Sequence, residues 1–249
     1  MRLLVVNPNI SESVTQLIGA EARRVAAPGT EITLRTAPYG VAYIETRFEA
    51  LIGAYAVANV VAEHAQGHDA VIVAAFGDPG VPGIREALDM PVVGITEAAL
   101  ASACLLGQRF SIVAISRRIT AWYRECVAVN GLLDRLARIR SLDQPLRDIG
   151  AVQDEHARRL RELCVTTVEQ DGADVIILAG APLAGLARQL AGEMPVPVVD
   201  GVSSAVRHAE SLVALKPGIA RAGSFAPPPE KPNAGLPPAL QALLKRARS

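Results

Sequence analysis

The 249-residue sequence predicts an α/β protein of two similar halves, each a parallel sheet with flanking helices. A pseudo-two-fold would relate the halves and leave a cleft between them. Three observations predict this. The stretch Asp69–Gly80, DAVIVAAFGDPG, recurs as Asp174–Gly185, DVIILAGAPLAG: an acidic residue, an aliphatic run, then a turn rich in Gly, Pro or both. Such a run between turn signals is the pattern of a strand covered on both faces. The copies stay in step, because Met90–Gly94 (MPVVG) answers Val196–Gly201 (VPVVDG) and each leads into a helix. Finally, strands and helices alternate with short connections, the arrangement that builds parallel sheets.

Taken in order, Arg2–Val6 reads as a strand stopped by the turn Asn7–Asn9. Ser11 is placed to cap a helix over Glu12–Ala27, which Pro28 and Gly29 end. Glu31–Thr36 alternates as a strand does, and Pro38–Thr46 is a loop. A helix over Phe48–Gln66 follows, with Gly67 as its cap, then a strand over Ala70–Ala75. After the turn Phe76–Gly80 come a short helix (Val81–Leu88), a strand (Pro91–Ile95) and a helix (Glu97–Leu106). The second half repeats the plan: strand Phe110–Ile115, helix Ala121–Asn130, an extended segment at Arg138–Ser141 and a linker at Pro145–Gly150. One long helix over Val152–Gln170 precedes the second buried strand, a short helix Leu183–Leu190, a strand Val196–Val199 and a helix Ser203–Leu215. The halves are then 1–96, completed by the helix 203–215, and 97–202. Residues 216–249 form a Pro-rich tail, irregular or disordered up to Pro238, with a short helix over Pro238–Arg248.

Composition narrows the function. Half the residues are hydrophobic and few are aromatic, so the core is aliphatic. Twenty-five basic residues balance 25 acidic ones, which argues against a nucleic-acid or anionic-membrane partner. No run reaches transmembrane length, and the N-terminal apolar stretch is too short for a signal peptide. Three cysteines without a CxxC pattern suit a reducing, cytoplasmic setting. Cys104, Cys126 and Cys164 fall inside predicted helices, where buried structural cysteine is the default reading. His64 and His68 have the spacing of a metal pair but lack a third ligand, and no nucleotide-binding glycine pattern is present. The expectation is a small-molecule substrate with no metal and no cofactor.

In parallel sheets ligands bind outside the carboxyl ends of the strands. That selects Asn7–Ser11, Tyr39–Thr46, Ala75–Gly80, Ser116–Thr120, Gly180–Gly185 and Asp200–Ser204. Ala75 and Gly180, at matching places in the two copies, should face each other. Glu45 and, beside it, Tyr43 are the candidate catalytic residues, Glu45 leading, although a loop carboxylate reads equally well as solvated. Asn9, Ser11, Ala75, Phe76, Gly77, Ser116, Arg117, Gly180 and Ala181 are the expected substrate contacts. For Asn9 and Ser116, plain turn structure stands beside ligand contact. Asp78 reads as a turn former, and Thr96, Glu97 and Asp200 read as helix caps.

VVNPNIS, YIET, AFGDPG, PVVGITEA, LAGAPLAG and PVVDGV, in that order over Met1–Leu215, together resemble the hydantoin racemases of the aspartate/glutamate racemase superfamily. The resemblance implies a pair of cysteines, acid and base on opposite faces of the substrate's α-carbon, and those positions fall at Ala75 and Gly180. It also implies a functional glutamate at 45 and a homo-oligomer. Inverting a carbon acid needs a base on one side and a proton donor on the other, which a methyl group and a hydrogen atom cannot supply. The expected activity is therefore cysteine-independent and hydrolytic, on a hydantoin- or thiohydantoin-like cyclic ureide that carries a carboxylate. Glu45 would activate water to open the ring or release sulfide. The alternatives are a hydantoin racemase or isomerase with Glu45 as a relocated base, and a ligand-binding protein without catalysis.

Overall fold

The structure, a computed structural model, describes residues 1–143 and 148–246. Its strands are β1 (Arg2–Asn7), β2 (Glu31–Thr36), β3 (Ala70–Val73), β4 (Val92–Gly94), β5 (Phe110–Ala114), β6 (Leu136–Ser141), β7 (Val175–Leu178) and β8 (Val198–Asp200). They form two four-stranded parallel sheets, ordered β2-β1-β3-β4 and β6-β5-β7-β8. β1 is buried except at Arg2, and β3, β5 and β7 are buried entirely, as aliphatic runs require, whereas the edge strands β2 and β6 are half-exposed.

The helices are α1 (Glu12–Val25), α2 (Arg47–His64), α3 (Val81–Ala87), α4 (Ile95–Leu106), α5 (Thr120–Val129), α6 (Val152–Glu155), α7 (Ala157–Glu169), α8 (Leu186–Leu190), α9 (Gly201–Leu215) and α10 (Pro238–Arg246). Successive strand residues point to opposite faces. Leu3 and Val5 therefore join one core with Val14, Ile18 and Leu100, while Leu4 and Val6 join another with Val57, Val60 and Ile84. α9 follows the last strand of the second sheet but packs on α1, α4, β3 and β4. Among the described residues no helix is long and apolar enough to cross a membrane.

Several boundaries differ from expectation. The long helix expected over Val152–Gln170 is two, α6 and α7, broken at His156. The Gln153 amide donates to the carbonyls of Pro182 and Ala184 (2.8 and 3.0 Å), which ties the first turn to the second-copy turn. The expected helix Leu183–Leu190 is a 3₁₀ turn, Ala181–Leu183, followed by α8, because Gly185 interrupts it in the left-handed region. The last strand runs Val198–Asp200 rather than Val196–Val199. Half of the expected linker Pro145–Gly150, residues 145–147, lies outside the described residues. Between α9 and α10 the tail holds one 3₁₀ turn, Gly223–Phe225, and α10 packs on α2.

Candidate active site

In each sheet the chain leaves the second strand of the order for the edge, then returns to its other side. The carboxyl ends of β1 and β3, and of β5 and β7, thus flank the crevices where doubly wound sheets take ligands. The loops after these strands converge on one cleft. Asn9 follows β1, and Tyr43, Ile44 and Glu45 follow β2. Ala75 and Phe76 follow β3, Ile115 and Ile119 follow β5, Ile149 follows β6, and Gly180, Ala181 and Pro182 follow β7. Tyr123 enters from α5. The enclosed room is about 30 Å³, sufficient for a water and too small for a five-membered ring.

Glu45 is held by its backbone. Thr46 caps α2, its Oγ1 accepting from the Glu49 N–H (3.2 Å), and the Glu49 carboxylate accepts in return from the N–H groups of Glu45 and Thr46 (2.8 and 2.9 Å). This reciprocal capping satisfies donors that the helix start would leave unpaired, and it fixes where the loop ends. The Ile10 N–H also donates to the Val41 carbonyl (3.1 Å), joining the loop to the turn after β1. Burial, with the Glu45 carboxylate bonded beside it, raises the Tyr43 hydroxyl above its usual range, so it stays protonated. An Arg47–Glu125 ion pair links α2 to α5, with both side chains exposed.

The turn after β3 is anchored by Asp78, a non-glycine residue at φ +48°. Its carboxylate accepts from the N–H groups of Thr96 and Glu97 (2.8 and 2.9 Å), across the chain at the start of α4, and the Thr96 hydroxyl accepts from the Gly77 N–H (2.6 Å). Desolvation, aided by the Glu97 charge and opposed by these bonds, lifts the Asp78 carboxyl to about 7. Behind this turn lies a second cavity of about 430 Å³, lined by Gly77, Asp78, Arg85, Glu97, Trp122, Cys126 and Phe225 among others.

The structure thus brings Glu45, Tyr43, Asn9, Ala75, Phe76, Gly180 and Ala181 together in the cleft. Gly77 borders the second cavity instead. Ser11 caps α1 through the Val14 N–H (3.3 Å), and the Ser116 hydroxyl accepts from the Arg118 N–H (3.2 Å), with Arg117 exposed beside it. Asn9 has a turn role as well, its Oδ1 accepting from the Asn7 amide and the Ser11 N–H (3.0 and 2.9 Å). Cys104 and Cys164 lie in α4 and α7, away from the cleft, and burial pushes the Cys164 thiol up to about 12. Among the described residues no three His, Cys, Asp or Glu side chains gather as a metal-binding set. Sequence reasoning missed Tyr123. The available signal was an adjacent Trp-Tyr pair opening a helix after a predicted strand, in a chain with one Trp and four Tyr.

Residues 3–209 match the protein family described as Asp/Glu/Hydantoin racemase. The chain is 39% identical over 238 residues to a hydantoin racemase of Paenarthrobacter aurescens, covering 93% of this chain and 99% of that one. It is 31% identical to a hydantoin racemase of Pseudomonas sp. (strain NS671), covering 94% and 95%. The solved structure of an allantoin racemase from Klebsiella pneumoniae superposes with a TM-score of 0.91 at 38% identity, over 96% of this chain and 98% of that one.

Proposed function

From the premise that the chain belongs to the Asp/Glu/hydantoin racemase family, we propose that it is an isomerase whose chemistry does not use cysteine. Its substrate is a small five-membered cyclic ureide of the hydantoin or allantoin kind, and the reaction is at the ring α-carbon. Glu45 is the base and the Tyr43 hydroxyl a donor to the adjacent ring carbonyl. One observation carries this reading: the cleft at the strand ends holds a tethered carboxylate and protonated phenols, while the two facing turn positions, Ala75 and Gly180, carry no group that moves a proton. Taking the α-proton places an electron pair on the carbonyl oxygen, and a fixed O–H donor there stabilises the enolate as it forms. A five-membered ring needs more room than the cleft encloses, so this reading requires the cleft to widen on binding.

The test is incubation of single enantiomers of hydantoins in D₂O, read by mass and optical rotation. The protein should place deuterium at the α-carbon. Glu45→Gln should slow this by roughly 10²-fold or more with binding changed only a few-fold, because a base acts on the transition state alone. Undiminished exchange in that variant removes Glu45 from the role. The water-sized room beside Ala75 and Gly180 favours a second reading, in which Glu45 activates a water to open the ring or displace sulfide from a thiohydantoin. In the same incubation, ring-opened acid or released sulfide without α-carbon exchange would replace isomerisation with hydrolysis.

A further inference from the structure

We infer that Tyr123 is the proton donor on the Gly180 side of the cleft, the acid that answers Glu45 across the substrate. The inference rests on the isomerase reading above. Three observations carry it. The Tyr123 ring, 3% exposed, is clamped against Phe76 and Trp122, with ring centroids 4.6 and 5.7 Å apart. Phe76 belongs to the same turn as Ala75, so the ring is fixed by the element that shapes the cleft. A Cβ built on Gly180 would stand 4.0 Å from the Tyr123 hydroxyl and 3.5 Å from Pro182 Cδ. The hydroxyl therefore looks into the room that a side chain at 180 would use to reach the substrate. Lastly, burial, with Cys126, Asp78 and Glu45 around it, raises the hydroxyl well above its usual range, so it is protonated at neutral pH, weaker as an acid than a free phenol but able to protonate a more basic carbanion.

The step balances with groups already present. Glu45 takes the proton from the α-carbon, and the C–H electron pair passes into the ring carbonyl as an enolate. The enolate then forms its new C–H bond on the opposite face as the Tyr123 O–H bond breaks, leaving a phenolate. The proton on Glu45 returns to that phenolate through solvent, which restores both groups. Alone, Glu45 can take a proton and return one to the same face, which gives exchange with retention. Inversion needs the second donor.

Tyr123→Phe keeps the ring and its packing and removes the hydroxyl. Given one enantiomer of a hydantoin in D₂O, the unmodified protein should yield inverted, deuterated product. The variant should invert at least roughly 10²-fold more slowly while its exchange with retention falls less than about tenfold. Equal losses of exchange and inversion would make the hydroxyl an enolate stabiliser instead, and unchanged inversion would remove it from the reaction, so either result overturns the inference. If the unmodified protein exchanges no deuterium, the isomerase reading fails and this inference falls with it. Should the Phe variant fold poorly, a fluorinated tyrosine at 123 serves. Its lower phenol pKa should move the alkaline fall of the inversion rate to lower pH and leave that of exchange in place, and coincident shifts would overturn the assignment.

Discussion

Each half sets a carboxylate at the start of the helix that follows its last strand, but the two halves draw it from different places. In the second half the strand end supplies it: Asp200 precedes α9, and its Oδ1 accepts from the Ser203 N–H at 2.9 Å. In the first half the matching strand-end residue is Gly94, and the carboxylate is that of Asp78, reaching over from the turn after β3 to the N–H groups of Thr96 and Glu97. At the place of Asp78 the second copy has Leu183. A Cβ on residue 94 would fall inside the Asp78 carboxyl, so glycine there and aspartate at 78 are one choice made at two positions. The physical demand is the same in both halves, since a helix start presents unpaired N–H donors and a positive dipole end. What differs is the tether. Asp78 binds the Ala75-bearing turn to its own sheet, whereas the Gly180-bearing turn is held by the Gln153 amide of α6.

The sharpest way to break this comparison is Gly94→Asp. With Asp78 in place it forces two carboxylates into one buried space and should cost roughly 3 kcal/mol or more in urea denaturation. Asp78→Ala with Gly94→Asp copies the second half and should recover more than about 1 kcal/mol of that loss. Additive losses in the double variant would show that the two positions do not exchange roles.

This exchange explains what the sequence could and could not say. The aliphatic runs of β1, β3, β5 and β7, the cap at Ser11 and the repeat itself were readable, because each depends on residues close in the chain. Asp78 was readable as a turn former, and its φ of +48° fits that, but its bond to Thr96 is tertiary and has no local signal. The break at His156 was hidden likewise, because Gln153 is held by carbonyls from beyond β7. In the cleft, Ala75, Gly180 and Glu45 were found from strand ends and repeat symmetry. Tyr123 was not, because which face of α5 meets the other half depends on how the halves dock.

A pH titration sharpens the comparison next. Asp78 is lifted to about 7 in the fold against an ordinary 3.8, so the folded chain holds this proton more tightly than the unfolded one. Its contribution to stability is therefore full below about pH 3.8, declines as pH rises through about 7, and is constant above that. Asp78→Asn removes the titration. Subtracting its stability–pH curve from that of the unmodified protein should leave a fall across this window, which cancels the opposite contributions of Glu21 and Glu210, both held below the usual carboxylate range. A flat difference would mean that Asp78 is solvated rather than buried at the helix start.

The smallest effect is expected at Asp200→Ala. Losing an aspartate N-cap commonly costs about 1 kcal/mol. Here two terms reduce that. Burial raises the Asp200 carboxyl, and the Glu21 charge nearby raises it further, so part of what the Ser203 N–H contributes is already offset. The Ser203 hydroxyl also stands 2.6 Å from Glu21 Oε1 and 3.0 Å from Asp200 Oδ2, and its single proton can serve only one of them. With Asp200 gone, that proton goes wholly to Glu21, which remains paired with Arg24 at 2.5 Å. The net loss should stay under about 1 kcal/mol, read as a small fall in the denaturation midpoint at unchanged slope. A loss above roughly 3 kcal/mol would mean that Asp200 does more than cap α9, and the equivalence drawn between it and Asp78 would not stand.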